Sequence, residues 1–178
     1  MKKSILFLTI ASLFLSCSNS DSSNPINTAC QSQDFITKFN SIPNNATYND
    51  VKAVFGSNGD NYLNSNTNNY KWYPCSDHNY YVDFWFQNNS LMILKNRTIS
   101  NFSICSNNIS ITSFSSLTVG MSYSQVSSIL NCPGDNFRTD NPTTANTKYY
   151  RFYNCGDTSK SIEAWFRNDS AILITKNF

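Results

Sequence analysis

The stretch that decides the fold is LTVGMSYSQVSSIL, residues 117–130. Ser122 can cap the N-terminus of a helix there, and Gln125, three residues later, completes a capping box in which each side chain bonds the other residue's backbone. Apolar side chains then follow at helical spacing, at Val126, Ile129 and Leu130. The stretch therefore predicts a short, well-capped amphipathic helix from Ser122 to Leu130.

The chain contains this helix pattern twice. NATYNDVKAVFG, residues 45–56, carries Thr47 and Asp50 at the same two capping positions, 75 residues earlier. A second match is longer: YKWYPCSDHNYYVDFWFQNNSLMILK, residues 70–95, aligns without a gap with YRFYNCGDTSKSIEAWFRNDSAILIT, residues 150–175. These matches predict that one structural unit occurs twice in the chain.

Each unit has the same predicted order of elements, two short helices followed by three or four strands. The predicted helices span residues 34–41, 47–55, 110–116 and 122–130. QNNS at 87–90 and RNDS at 167–170 predict hairpin turns, because Asn and Asp tolerate the left-handed conformation. We therefore predict an α+β fold of two tandem repeats, 30–97 and 98–178, each a helix-loop-helix packed on a three- to four-stranded antiparallel sheet.

The first residues predict export. Residues 1–16 have the pattern of a secretory signal peptide, with two lysines, an apolar run and the sequence LFLSC around its end. That ending resembles a bacterial lipobox, which implies lipidation of Cys17 and a lipid anchor in the outer membrane of the cell envelope, on its periplasmic or exposed side. An ordinary signal peptide cut near Ser16 is the alternative. Residues 17–29 are polar and contain proline, which predicts a flexible tether.

Charge and motifs exclude several classes of function. Without the first sixteen residues the acidic and basic side chains balance, and no basic stripe that would attract nucleic acid is present. His78 is the single histidine, and the chain has no Gly-rich phosphate loop, HExxH, GxSxG or CxxC motif. One histidine and cysteines expected to form disulfides do not make a metal site. We therefore expect a protein that is not an enzyme and holds no metal or cofactor.

The strand pattern YYVDFWF, residues 80–86, separates two sets of side chains, because successive side chains of a strand point to opposite faces. The apolar set, expected to pack on the helices, is Tyr80, Val82, Phe84 and Phe86, matched later by Ile162, Ala164 and Phe166. The other set has a tryptophan beside an acid in both copies, Asp83 with Trp85 and Glu163 with Trp165. We expect this second set to face away from the helices.

Large aromatic side chains with a charged rim are typical of protein-binding hot spots. The candidate partner-binding residues are Trp85, Trp165, Tyr73, Tyr153, Tyr80, Tyr81, Lys71, Asp83, Arg151, Glu163 and Arg167. They predict a face that binds a protein partner of the envelope. The alternative is that Trp85 and Trp165 fill the junction between the two copies as part of the core.

FSSLTVGMSYSQVSSIL (114–130) and EAWFRNDSAIL (163–173) together resemble the proteinaceous β-lactamase inhibitor family. That resemblance implies two tandem helix-loop-helix and sheet repeats, and a non-catalytic module that binds and inhibits a protein. The family carries an aspartate before two tyrosines, where this chain has Asn79 before Tyr80 and Tyr81, so the sequence does not identify β-lactamase as the target. A single repeat is also similar to the small lipoprotein of the outer-membrane β-barrel assembly machine, which implies a structural subunit of an assembly complex as the alternative function.

The cysteines leave two disulfide schemes open. Five cysteines remain after Cys17. Their repeated spacing favours two equivalent bridges, Cys30–Cys75 and Cys105–Cys155, with Cys132 free. The resemblance to the inhibitor family implies Cys132–Cys155 instead.

Overall fold

The computed structural model describes residues 33–62, 67–76, 78–100, 109–140, 146–154 and 157–178. The predicted signal peptide, the tether and four cysteines lie outside these residues: Cys17, Cys30, Cys105 and Cys155.

The same order of elements occurs twice along the chain. The first half contains α1 (Gln33–Ser41), α2 (Tyr48–Phe55), β1 (Asp60–Asn61), β2 (Thr67–Trp72), β3 (Val82–Gln87) and β4 (Leu91–Arg97). The second half contains α3 (Ile111–Ser115), α4 (Tyr123–Leu130), β5 (Asp135–Asp140), β6 (Thr147–Asn154), β7 (Asp157–Arg167) and β8 (Ser170–Asn177). The eight strands of the described residues are antiparallel neighbours in the order β1 to β8, so both halves share one sheet through the β4–β5 pair. The predicted α+β class is confirmed.

Both predicted capping boxes are present. The Gln125 backbone N–H donates to Ser122 Oγ over 3.3 Å, and the Ser122 N–H donates to Gln125 Oε1 over 2.8 Å. Thr47 and Asp50 make the equivalent pair of bonds at the start of α2. Helix α4 ends at Asn131, whose φ of 47° is left-handed, a conformation that asparagine tolerates better than most residues. Both second helices therefore begin one residue after the predicted caps.

The two predicted hairpin turns are also present. Asn88 and Asn89 have φ of 52° and 57°, and Asn168 and Asp169 have φ of 50° and 61°. Two consecutive left-handed residues make the turn that matches the twist of an antiparallel hairpin. The turns therefore fix β3 against β4 and β7 against β8.

The helices cover one face of the sheet, and two separate hydrophobic cores lie beneath them. Phe39 and Val51 of the first helix pair pack with Trp72, Val82, Phe84 and Phe86 of the sheet. Val126 and Leu130 of α4 pack with Phe152, Ile162, Ala164 and Phe166. The set predicted to face the helices is therefore correctly assigned. None of the described helices has the length and apolar character needed to cross a membrane.

A polar seam separates the two cores along β4 and β5. Arg97 and Asp135 form an ion pair across it, and each side chain is only 1% exposed. The Arg97 guanidinium also donates to the Ile99 carbonyl oxygen and lies 5.5 Å from the ring of Phe39. Among the described residues the junction between the halves is therefore held by a buried charge pair and by strand pairing, and the two apolar cores remain separate.

Two glycines allow the same close contact in both halves. A Cβ atom on Gly59 would lie 2.7 Å from the Trp72 ring, and one on Gly134 would lie 2.6 Å from the Phe152 ring. Both glycines have a φ of 64°. A larger residue at either position would therefore clash with the core and strain the backbone.

Cys75 and Cys132 are both disulfide-bonded. The scheme that leaves Cys132 free is therefore wrong. The left-handed end of α4 at Asn131 turns the next residue inward, so Cys132 is only 3% exposed, and its Sγ accepts the N–H of Gly134. The partner of each cysteine lies outside the described residues.

Candidate protein-binding face

The face of the sheet opposite the helices, here the outer face, carries two cross-strand rows that run through both halves. The first row is Lys71, Asp83, Asn96, Arg138, Tyr149, Trp165 and Leu173. The second row is Asn69, Trp85, Leu94, Asp140, Thr147 and Arg167. Because β4 pairs with β5, the two halves present one continuous surface.

The first half places a cation among tyrosines. The Lys71 ammonium lies 4.8 Å from the ring centre of Tyr62 and 4.2 Å from that of Tyr81. The hydroxyls of Tyr62 and Tyr73 are 2.6 Å apart, and the His78 ring stacks on Tyr73 with 4.2 Å between ring centres. Burial, followed by the bond to Tyr62, raises the pKa of Tyr73 well above its ordinary value, so its hydroxyl stays protonated. This cluster can offer a positive charge and aromatic surface together.

The acidic residue of the first half, Asp83, already has hydrogen-bond donors for its carboxylate within the protein. Asp83 is 5% exposed, and its carboxylate accepts bonds from Asn69 at 3.1 Å, Trp85 at 2.9 Å and Asn96 at 2.9 Å. All three donors are neutral side chains of the same face. Asp83 therefore positions Trp85 and is not itself available to a partner.

The second half uses the matching positions differently. Arg151 lies 4.5 Å from the ring centre of Phe137, as Lys71 lies over Tyr62, but Arg151 forms an ion pair with Glu163. Its Nε donates to Glu163 Oε1 over 2.7 Å. The positive charge of Lys71 in the first half is therefore available to a partner, whereas that of Arg151 in the second half is neutralised by Glu163.

The centre of the face is a network on β5 and β6. The Arg138 guanidinium donates to both oxygens of Asp140, over 2.8 and 2.9 Å, and lies 4.9 Å from the Tyr149 ring centre. The Tyr149 hydroxyl donates to Asp140 over 2.6 Å. Burial and this hydrogen bond raise the pKa of Tyr149. The network holds a planar guanidinium and an aromatic ring in fixed positions at the middle of the sheet.

Trp85 and Trp165 lie on the outer face and belong to neither hydrophobic core, so they do not fill the junction between the two halves. Both are half-buried. Trp165 packs against Tyr149 with 4.8 Å between ring centres, and its Nε1 has no acceptor among the described residues. Trp85 Nε1, in contrast, donates to Asp83.

Three of the other candidate partner-binding residues do not present an exposed side chain on the outer face. Tyr80 packs against the first core on the helix side, because it continues the alternation of the apolar set. Asp83 and Tyr153 are buried at 5% and 4% exposure, since neighbouring side chains of the outer face cover them. Arg167 is exposed, with its Nε donating to Thr147 Oγ1 over 3.3 Å.

Sequence reasoning missed the residues of β1 and β5. Arg138, Asp140 and Phe137 come from β5, and Tyr62 directly follows β1, neither of which was predicted as a strand. A signal was present: GDNY at 59–62 recurs as GDNF at 134–137. The recurring aromatic residue covers the cation in both halves.

The outer face has the chemistry of a binding surface. Among the described residues no group of three histidine, cysteine, aspartate or glutamate side chains is placed to hold a metal. The side chains of the outer face instead combine rigid aromatic rings with hydrogen-bonded charges, which is the composition of a protein-recognition surface.

The profile of the β-lactamase inhibitor (BLIP) family matches residues 36–169. The chain belongs to the β-lactamase inhibitor family. A solved structure from Streptococcus mutans, described as that of a candidate β-lactamase inhibitor protein, is similar with a TM-score of 0.59 at 19% identity, covering 83% of this chain and 98% of that one. At that identity the likeness shows a shared fold. Comparison with curated proteins gives no significant match.

Proposed function

We propose that this member of the β-lactamase inhibitor family is a non-catalytic module that binds a protein on the outer face of its sheet and blocks it. The observation that carries this proposal is the pair of continuous cross-strand rows, which place Trp85 and Trp165 on one surface. Half-buried tryptophans ringed by charges are the residues that dominate protein interfaces. We also infer that the two halves derive from one duplicated unit, as the matched pairs of Lys71 with Arg151 and Gly59 with Gly134 support.

The target need not be a β-lactamase. Asn79, which is exposed at the hairpin before β3, is a neutral amide and cannot form an ion pair with a cationic enzyme site. The proposal therefore concerns an enzyme or other protein of the envelope, and inhibition of a β-lactamase is a separate measurement.

The binding face can be tested by site-specific photo-crosslinking in the source cells. A photoreactive phenylalanine analogue at Trp85 or Trp165 should crosslink to the same protein. The analogue at Lys52, which is exposed on α2, is the matched control and should not crosslink to it. Equal crosslinking from all three positions, or none from the two tryptophan positions, would refute binding on the outer face.

The strength of binding gives a second test once the partner is captured. Trp85→Ala and Trp165→Ala in the soluble protein from Ser18 should each weaken binding by about thirty-fold, or about 2 kcal/mol. The melting temperature of Trp165→Ala should change little, because its side chain belongs to neither core, whereas Trp85→Ala should lower it modestly because the buried Asp83 loses one donor. Large drops in melting temperature with unchanged affinity would show that both residues are structural.

We further propose that Cys17 is lipidated and that residues 17–29 tether the module in the bacterial envelope, exposed to its partner. The lipobox-like LFLSC sequence supports this. Cys17→Ala should move the protein from the membrane fraction to the soluble fraction. An intact mass without an acyl group on the membrane-fraction protein would contradict the anchor.

A further inference from the structure

A cavity of about 310 Å³ lies on the helix side of the second half, where α4 begins and the β7–β8 turn ends. Its apolar wall is an aromatic cluster of Tyr123, Tyr150 and Phe166. Tyr123 lies 4.6 Å from Tyr150 and 5.9 Å from Phe166 between ring centres. Lys148, Asp169, Asn146 and Asn168 supply the polar lining. Pockets that hold small molecules combine an apolar wall with a few polar groups in this way, and a volume of about 300 Å³ is at the small end of their range.

The matching site of the first half is closed by hydrogen bonds. Asn68 Nδ2 donates to Asn89 Oδ1 over 3.0 Å, and the Tyr70 hydroxyl donates to the same oxygen over 3.2 Å. Asn89 matches Asp169 in the gapless alignment of the two halves, and Asn68 matches Lys148 when that alignment is extended by two residues towards the N-terminus. In the first half, neutral hydrogen-bonded side chains therefore occupy the place where the second half has its cavity.

The second half replaces that network with two opposite charges that do not meet. Lys148 and Asp169 line the cavity, yet they form no ion pair with each other or with any other described residue. One oxygen of Asp169 accepts the N–H of Tyr123 over 3.1 Å, as a cap of α4. The cavity therefore carries a positive group on one element and a negative group on another.

Asn146 adds a third polar side chain to the lining. Asn146 Oδ1 is inaccessible to solvent and has no hydrogen-bond donor among the described residues. The backbone there is left-handed, with a φ of 39°. Because a water molecule cannot reach this oxygen, it offers no contact to a ligand in the cavity, and the recognition of charge depends on Lys148 and Asp169.

We propose that this cavity binds a zwitterion of the size of a small α-amino acid. The ligand's carboxylate binds the Lys148 ammonium, and its ammonium group donates to Asp169. Tyr123, Tyr150 and Phe166 contact its side chain. The site lies on the opposite side of the sheet from the outer face, so it is independent of the proposed protein-binding function.

The protonation states of the lining suit such a ligand. Burial, together with the neighbouring Tyr123 and Asp169, raises the pKa of Tyr150 to about 12, so its hydroxyl remains a neutral donor at physiological pH. A ligand with one charge would leave Lys148 or Asp169 without a counter-charge. A neutral sugar would leave both charges without one.

The test is calorimetric titration of the soluble protein from Ser18 with L-alanine and its two half-ligands, propionate and ethylamine. L-Alanine should bind with a dissociation constant on the order of 1 mM, and each half-ligand at least about tenfold more weakly. Trimethylglycine keeps both charges but cannot donate a hydrogen bond, and should also bind at least about tenfold more weakly. Equal binding of L-alanine and either half-ligand, or binding of N-acetylglucosamine and not of L-alanine, would overturn the proposal.

A double variant, Lys148→Asn with Asp169→Asn, is the matched control for the site, because it introduces the pair that closes the first half. It should fold, with a melting temperature near that of the parent, and lose L-alanine binding by at least about tenfold. Lys160→Met removes an exposed lysine that does not line the cavity and should bind as the parent does. Retained binding in a folded double variant, or no binding to the parent, would refute the site.

Discussion

Lys95 is a buried cation whose removal should stabilise the protein. It lies on the helix side of β4 and is only 8% exposed. Its ammonium donates to the Ile42 carbonyl oxygen over 3.1 Å and lies 5.3 Å from the ring of Phe39. Burial above all, and the nearby charges of Lys148 and Arg97, lower the pKa of Lys95 from 10.5 to about 8.

The lowered pKa of Lys95 determines both the sign and the size of its contribution to the unfolding free energy. Between pH 8 and 10.5 the native protein has lost the Lys95 proton while the unfolded chain still holds it. The unfolding free energy contributed by this group therefore rises with pH across that window, by about 3 kcal/mol in total. Lys95→Met removes the penalty at every pH but leaves the Ile42 carbonyl without a donor, which costs about 1 kcal/mol. The variant should be about 2 kcal/mol more stable than the parent at pH 7.

The assay is urea unfolding of parent and variant, in the soluble form, at pH 7, 8.5 and 9.5. The advantage of Lys95→Met should shrink by about 2 kcal/mol from pH 7 to 9.5, because the parent gains stability as Lys95 loses its proton. Taking the difference cancels titrations common to both proteins, including those of the tyrosines. Lys52→Met, at an exposed position of α2, should show no such pH-dependent difference. An advantage that stays constant with pH, or a variant less stable than the parent at pH 7, would refute the reasoning.

Three further predictions concern the seam, the disulfides and the caps. Arg97→Met leaves Asp135 charged and buried, and should lower the unfolding free energy by about 3–5 kcal/mol in urea titrations; adding Asp135→Leu should recover most of the loss. Peptide mapping without reduction should recover Cys132 in a bridge with Cys155, as the family resemblance implies, and a free Cys132 thiol would contradict the structure. Ser122→Ala removes the acceptor at the start of α4 and should cost about 1 kcal/mol in thermal unfolding, whereas an unchanged melting temperature would show that the cap does not contribute.

The features predicted correctly from the sequence are those fixed by neighbouring residues. The capping boxes at Thr47 and Ser122 depend on residues three positions away, and the turns after β3 and β7 depend on pairs of Asn or Asp. The inward and outward sets of β3 follow from alternation within a single strand. Each of these signals is complete within about ten residues of chain.

The features missed depend on strand register between distant residues. Strand β5 has little apolar character, and Arg138 and Asp140 belong to the face only because β5 pairs with β4 and β6. The bulge that places Phe137 under Arg151 changes the alternation within β5, so no simple period of two could reveal it. The scheme that leaves Cys132 free assumes that the two halves are equivalent, although Ser57 occupies the position that matches Cys132.

The seam between the halves matters for function because it sets the spacing of the proposed binding residues. Trp85 on β3 and Trp165 on β7 are four strands apart, about 19 Å at the usual strand spacing. In the part of the chain that the structure describes, neither hydrophobic core crosses the seam, so this spacing depends on the β4–β5 ladder and on the ion pair of Arg97 with Asp135. A change on the helix side of the seam would therefore alter how both tryptophans meet a rigid partner, without replacing any residue of the outer face.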